Sequence, residues 1–246
     1  MGYTANPYDF ALFLRRTDKG IILLLLYVDD MIITGDDLSG TQELKDFLLQ
    51  QFEMKDLGHL SYFLGFEITH STNGFYITQA KYASDFLSQA GLTDSKTVDT
   101  PVELNAHLTP LGGKPLSNPS LYRRLVGSLV YLTVTRPDIS YAIHQVSQYL
   151  SAPRSTHYAA VLRILRYLKG TLFHGLFYSV QSPFVLRAFS NSDWAGDPID
   201  RRSTTGYCFL LSSSLISLRS KKQTFVARSS IEAEYRVLAD IISELI

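Results

Sequence analysis

Two adjacent carboxylates, Asp29 and Asp30, close a run that is otherwise entirely apolar, Ile21 to Val28. Ionised carboxylates are costly to bury without a cation, so the end of this run must open to water or to a divalent metal. An Asp-Asp pair also makes an ordinary turn. Against a turn alone, Met31-Ile32-Ile33 resumes the apolar pattern and puts both acids at a tight bend between two buried strands, a geometry for holding metal. A second pattern is cationic. Arg163, Arg166 and Lys169 fall within about 120° of one another on a helix of 3.6 residues per turn, while Val161, Leu162, Leu165 and Leu168 largely face elsewhere. Such a stripe suits phosphates and equally a solvated face, and Arg123 and Arg124 carry the same two readings. Other chemistries lack their residues. The six histidines show no zinc-ligand spacing, there is no His-Glu-x-x-His or glycine-rich phosphate loop, and Ser and Cys nucleophiles have no recognisable context.

The elements that must position these groups follow from hydrophobic period and turn chemistry. Phe10 to Leu14 and Gly20 to Ile33 read as strands around Thr17-Asp18-Lys19-Gly20, the second too uniformly apolar for a wet face. Ser39 or Thr41 caps a helix to about Phe52, with Leu44, Phe47, Leu48 and Leu49 inward. Tyr62 to Thr69 and Phe75 to Thr78 form a hairpin in which Asn73-Gly74 supplies positive backbone angles, and a helix from about Ala80 to Ala90 stops at Gly91. Four prolines and two glycines between residues 98 and 121 mark a linker. Helices over Leu121 to Thr133, Pro137 to Leu150 and Thr156 to Leu168 come next. Strands return at Leu176 to Val180, Val185 to Ser190, Thr205 to Leu211, Leu215 to Arg219 and Gln223 to Ala227, before a closing helix from Ser230.

With 246 residues, 46% hydrophobic and 19% charged, the chain can bury a sizeable core, which excludes disorder as a description of the whole. No apolar run approaches the roughly 20 residues of a membrane span, so no membrane partner is expected. The N-terminal residues lack the basic and apolar regions of a signal peptide, and the single Cys208 cannot form an internal disulfide; an intracellular protein is expected. The net charge of zero hides a polarity. Residues 1–100 carry 7 basic and 14 acidic side chains, residues 101–190 carry 9 and 2, and residues 191–246 carry 7 of each. An acidic block followed by a basic one suits metal-binding carboxylates beside a polyanion surface, and ordinary scatter between subdomains gives the same count.

Tyr27-Val28-Asp29-Asp30-Met31-Ile32-Ile33-Thr34-Gly35 closely resembles the Y-V-D-D palm motif of reverse transcriptases, in the form used by copia-type LTR retrotransposon Pol polyproteins. The resemblance extends along the chain. It includes Lys55-Asp56-Leu57-Gly58, Tyr62-Phe63-Leu64-Gly65, Thr78-Gln79-Ala80-Lys81-Tyr82 and the run from Tyr131 to Ile139. It continues through Leu165 to Thr171, Ser192-Asp193-Trp194-Ala195-Gly196, Ser203 to Tyr207 and Ser220-Lys221-Lys222-Gln223.

The resemblance implies an α+β fold: a partial palm with the start of a primer grip and thumb at 1–97, a linker at 98–121, a helical thumb and connection at 122–171, and the N-terminal part of an RNase H-like α/β domain at 172–246. It implies that Asp29 and Asp30 help hold two Mg2+ ions, with Mn2+ as the substitute, for phosphoryl transfer to a primer 3′ hydroxyl. It places the family's third palm aspartate and its fingers before residue 1, so the isolated chain is expected to be inactive. Asp193, after a strand, and Glu232, opening the last helix, are similar to two of the four carboxylates of type I RNase H, the other two lying beyond residue 246. Ser229 to Glu232 is equally a capping box. The family usually has Asp at the positions of both Asn191 and Asp193, and which is the catalytic equivalent stays open. Implied partners are primer-template or RNA/DNA hybrid and the remaining Pol segments. The other readings are a nucleic-acid-binding domesticated remnant and a product of a degenerate element without function. Truncation of the last domain would leave Phe209, Leu211, Ile216 and Val226 poorly shielded.

Overall fold

Gly35 is where the first sheet closes: at a φ of 153° it lies opposite Ile22, and a Cβ there would collide with the carbonyl oxygen of Ile21. The computed structural model describes residues 2–92, 96–104 and 107–245. Two units divide the chain, residues 1–60 and 61–246. Their helices and antiparallel sheets make the expected α+β arrangement.

In the first unit β1 (Thr4–Asn6), β2 (Asp9–Thr17), β3 (Gly20–Tyr27) and β4 (Asp30–Gly35) form an antiparallel sheet in sequence order. Helix α1 (Leu38–Gln51) lays Leu44 and Leu48 against Ile22 and Leu24. β3 therefore buries alternate residues, while Ile21, Leu23 and Leu25 on its other face are only half-buried. One helix covers one face, so the expectation of a fully buried hairpin does not hold. Phe47 and Leu49, expected inward, are exposed, because the i, i+4 row of Leu44 and Leu48 already faces the sheet. The cap is Asp37 rather than Ser39 or Thr41: its carboxylate accepts the Gly40 N–H at 2.9 Å and the Thr17 hydroxyl at 2.8 Å, joining helix to sheet.

The second unit begins with β5 (Tyr62–Phe63), β6 (Phe66–Ser71) and β7 (Gly74–Thr78). The strand expected over Tyr62 to Thr69 is broken at Leu64-Gly65, both at positive φ, a two-residue turn whose Leu64 carbonyl accepts the Tyr131 hydroxyl at 2.6 Å. At the next turn only Gly74 has positive φ, and it does so where β8 (Leu176–Ser179) passes too close for a side chain. β8 thus completes a sheet β5-β6-β7-β8. Leu176–Ser179, read from the sequence as the first strand of the last domain, pairs with Gly74–Ile77 of the hairpin.

Helix α2 (Ala80–Gln89), α3 (Pro119–Leu132), a 3-10 turn at Pro137–Ile139, α4 (Ser140–Ser147) and α5 (Ser155–Gly170) share one core around Tyr122, Leu129, Ile139, Val161 and Leu165. Arg136, 3% exposed, is clamped by both oxygens of Asp138 and donates to the carbonyl and hydroxyl oxygens of Thr171. The described part of 98–121, expected as a linker, belongs to this unit. Arg154 donates to the carbonyls of Leu111 and Gly113, and Tyr149 to that of Leu108. His157 accepts the Arg154 N–H through Nδ1, so its Nε2 donates to the Thr109 carbonyl. Regular structure here is limited to a bridge between Pro115 and Arg154 and the first residues of α3, and side chains satisfy the carbonyls of Leu108, Thr109, Leu111 and Gly113.

The chain ends with β9 (Leu186–Ser192), β10 (Thr204–Leu211), β11 (Ser214–Lys222) and α6 (Ser230–Leu245), the sheet running β11-β10-β9. α6 covers Phe209, which is buried with Tyr207 against Ile241. Ile216 and Val226 are exposed as expected, and Leu211 is half-buried. Gln223 to Ala227 is not a strand, because the Gln223 N–H donates to Ser203 and the chain then leaves the sheet.

Candidate functional site

The first carboxylate pair sits on the turn between β3 and β4. Tyr27 pairs in register with Asp30, so the chain reverses on Val28 and Asp29 alone. Val28 takes a left-handed φ of 51° with 89% of its surface exposed, a conformation that costs a β-branched residue of order 1–3 kcal/mol. A two-residue hairpin turn demands a positive φ at its first position, and burial does not offset the strain at Val28. Asp29 and Asp30 are both exposed, and among the described residues neither side chain enters a hydrogen bond or an ion pair. Their oxygens are hard donors, which fits a divalent cation. Among the described residues no group of three His, Cys, Asp or Glu side chains could hold a metal ion. Asp37 in the same unit is the opposite case: the Gly40 N–H and the Ser39 and Thr17 hydroxyls hold its carboxyl down at about 2.

The second set of acids is already engaged. Asp193 follows β9, and its Oδ1 accepts the Thr204 N–H at 2.7 Å, pinning the mouth of the 193–204 loop. Asn191 and Asp193 line one groove of about 520 Å³ with Tyr141, Phe189, Cys208 and Leu218. The Glu232 carboxylate accepts the Arg228 N–H at 2.8 Å and the Arg236 guanidinium at 2.8 Å, while the Glu232 N–H donates to the Ser229 hydroxyl. The Arg236 cation and the Arg228 N–H hold the Glu232 carboxyl below the usual range. It is Glu234 whose Oε1 accepts the Ser192 N–H at 3.0 Å, next to Asp193. The structure therefore brings Glu234 to the end of β9 in place of the expected Glu232.

The helical wheel explains why the sequence missed it. Ala233, Val237 and Ile241 are the buried row of α6, and Glu232 and Glu234 flank Ala233 at about 100° on either side. Only the position of β9 at the sheet edge decides which flank meets it.

The cationic candidates divide similarly. Arg123 donates to the carbonyl of Leu150, and Arg163 to the carbonyl and hydroxyl of Thr100. These are neutral partners, so both charges survive, but their geometry is fixed. Arg124 is exposed, and Arg166 and Lys169 are half-exposed. No helix among the described residues is long and apolar enough to cross a membrane.

Residues 1–104 match the family model described as reverse transcriptase (RNA-dependent DNA polymerase). The whole chain is 42% identical over 245 residues to the retrovirus-related Pol polyprotein from transposon RE2 of Arabidopsis thaliana, of which it covers 17%. It is 38% identical over 243 residues, 95% of its length, to the Pol polyprotein from transposon TNT 1-94 of Nicotiana tabacum, covering 18% of that protein. An uncharacterized mitochondrial protein of Arabidopsis thaliana is 45% identical over 222 residues, 90% of this chain and 92% of that protein. The chain thus spans under a fifth of the Pol polyproteins it resembles. No solved structure matches.

Proposed function

The chain belongs to the reverse transcriptase family of copia-type retrotransposon Pol polyproteins, and from that premise we propose that it supplies part of an RNA-directed DNA polymerase and the opening of an RNase H domain. Residues 1–60 are read as a partial palm, the β6–β7 hairpin as the primer grip, the helices of 122–171 as thumb and connection, and β9 to α6 as the start of the RNase H-like unit. Asp29 and Asp30 are the carboxylates that would hold Mg2+, or Mn2+ in its place. When bound, such a cation supplies charge stabilisation to the oxygens of an in-line phosphoryl transfer. The chain's own contribution is to present two uncommitted carboxylates on a turn whose strands are held in register by Gly35 and anchored to α1 through Asp37. The observation that carries this reading is the exposed Asp29–Asp30 pair on the β3–β4 turn, whose carboxylates have no hydrogen-bond or ion-pair partner among the described residues.

Two carboxylates do not make a two-metal site, so the isolated chain neither polymerises nor cleaves on its own. At the second site Glu234 is the α6 acid that reaches β9, through the Ser192 N–H, and Glu232 serves α6. Asn191 in the groove beside Asp193 favours a second reading for this unit, binding of nucleic acid without catalysis.

Binding of RNA/DNA hybrid tests the partner. In fluorescence anisotropy the chain should bind with little sequence preference, and affinity should fall steeply with salt. Arg124→Ala with Arg166→Ala should lower the salt slope by about 2. Absence of binding at low salt contradicts the reading.

A further inference from the structure

We infer that the exposed apolar row of α6 is a self-association surface, on which the same helix of a second copy of this chain docks. The helix carries three rows. Ala233, Val237 and Ile241 are buried on the sheet side. Glu232, Arg236, Asp240 and Glu244 follow one another at i, i+4, with Glu232 paired to Arg236 and Glu244 to Arg219 of β11. The third row is Ile231, Tyr235, Leu238, Ile242 and Leu245, each with between 47% and 68% of its surface exposed. A helix that lies on a sheet needs one apolar stripe, so the second is left without a covering element among the described residues.

The spacing of that row selects what covers it. Its residues recur at intervals of four, three, four and three, the period of about 3.5 at which two helices pack the side chains of one into the gaps of the other. The occupant is therefore a helix of matching period. α6 itself is the described helix that exposes such a row, and its charges leave self-pairing open. Around the helix from Glu234 to Glu232, an arc of about 160° holds no charged side chain. Pairing in either direction sets Glu234 against Ala239 or Ile241 of the second copy rather than against a carboxylate. The area is also sufficient. The five side chains leave on the order of 500 Å² open, so two copies would bury about 1,000 Å², the least that a specific interface needs. That area fits a reversible dimer whose population depends on concentration.

The test is sedimentation equilibrium of the full chain over a wide range of concentration, beside the variant Leu238→Glu with Ile242→Glu. Both residues are exposed in the protomer, so the variant should keep its helical circular dichroism. The parent should fit a reversible equilibrium of monomer and dimer. In the variant like charges meet across the pair, and the dissociation constant of the dimer should rise roughly 100-fold or more. A parent that stays monomeric throughout overturns the inference and leaves the row to a helix of another protein. Association of equal strength in parent and variant overturns it as well, because another surface would then hold the copies together. Should the double variant lose its helical signal, Leu238→Ala, which removes contact area while keeping a good helix former, is read in the same way: a weaker dimer supports the α6 surface, an unchanged one overturns it.

Discussion

The tip at Asp29–Asp30 and the β9–α6 junction at Asp193 and Glu234 both present carboxylates, but under opposite terms. At the tip the acids are consecutive in sequence, exposed and, among the described residues, without side-chain partners, and the backbone beside them at Val28 carries the strain. At the junction the acids come from segments about 40 residues apart; Asp193 is held by the Thr204 N–H of β10 and Glu234 by the Ser192 N–H of β9. Carboxylates of the first kind are available to an external cation without losing an internal bond. Those of the second kind are part of what holds the local structure, so any ligand there competes with the fold.

The largest effect should come from breaking the support of the tip without touching its acids. Gly35→Val forces a side chain onto the Ile21 carbonyl at a φ that valine avoids, and should cost on the order of 3 kcal/mol or more. Hydrogen exchange should show protection lost across β3 and β4; retained protection would mean that the close approach at Gly35 is dispensable.

A direct comparison of the acids comes next. Asp193→Ala removes the acceptor of the Thr204 N–H and should lower stability in urea unfolding by about 1–2 kcal/mol, and Asp193→Asn by less, since its amide oxygen can still accept. Asp29→Ala and Asp30→Ala should stay within about 0.5 kcal/mol of the parent. Equal costs at the two sites would erase the distinction.

Acid should act on the first unit through Asp37. Its folded pKa of about 2 lies below the ordinary value of 3.8, so its stabilising contribution is complete above about pH 4 and is lost as pH falls toward 2. The α1 amide signals should lose exchange protection over that window, and Asp37→Asn should flatten the dependence. A flat parent profile would show that this cap does not tie helix to sheet. The smallest effect is expected for Glu232→Gln, which removes a half-exposed i, i+4 partner of Arg236 and should move the melting temperature by no more than about 1 °C.

How far the sequence reaches follows the same divide. The Tyr27–Asp30 bend, the α1, α3 and α5 helices and the β10–β11 hairpin are readable because period and turn chemistry are local properties. Long-range closure decided the rest. β8 joins the β5–β7 sheet where Gly74 permits its backbone to approach, which no local pattern announces. The 98–121 segment read as a linker because its prolines forbid regular structure; the side chains that bind it, Tyr149, Arg154 and His157, lie about 40 residues away. That Glu234 rather than Glu232 meets the Ser192 N–H was not legible, because both flank the buried row of α6 and only the sheet order distinguishes them.

The central claim is that the tip offers two free carboxylates to a metal site that this chain alone does not complete. Primer extension by the purified chain on an RNA template, with Mg2+ or Mn2+, tests it most directly when run beside Asp29→Asn to expose contaminating enzyme. The account predicts no extension by either protein. Product formed by the parent and abolished by Asp29→Asn would contradict it, because the chain would then supply a third ligand that two carboxylates cannot replace.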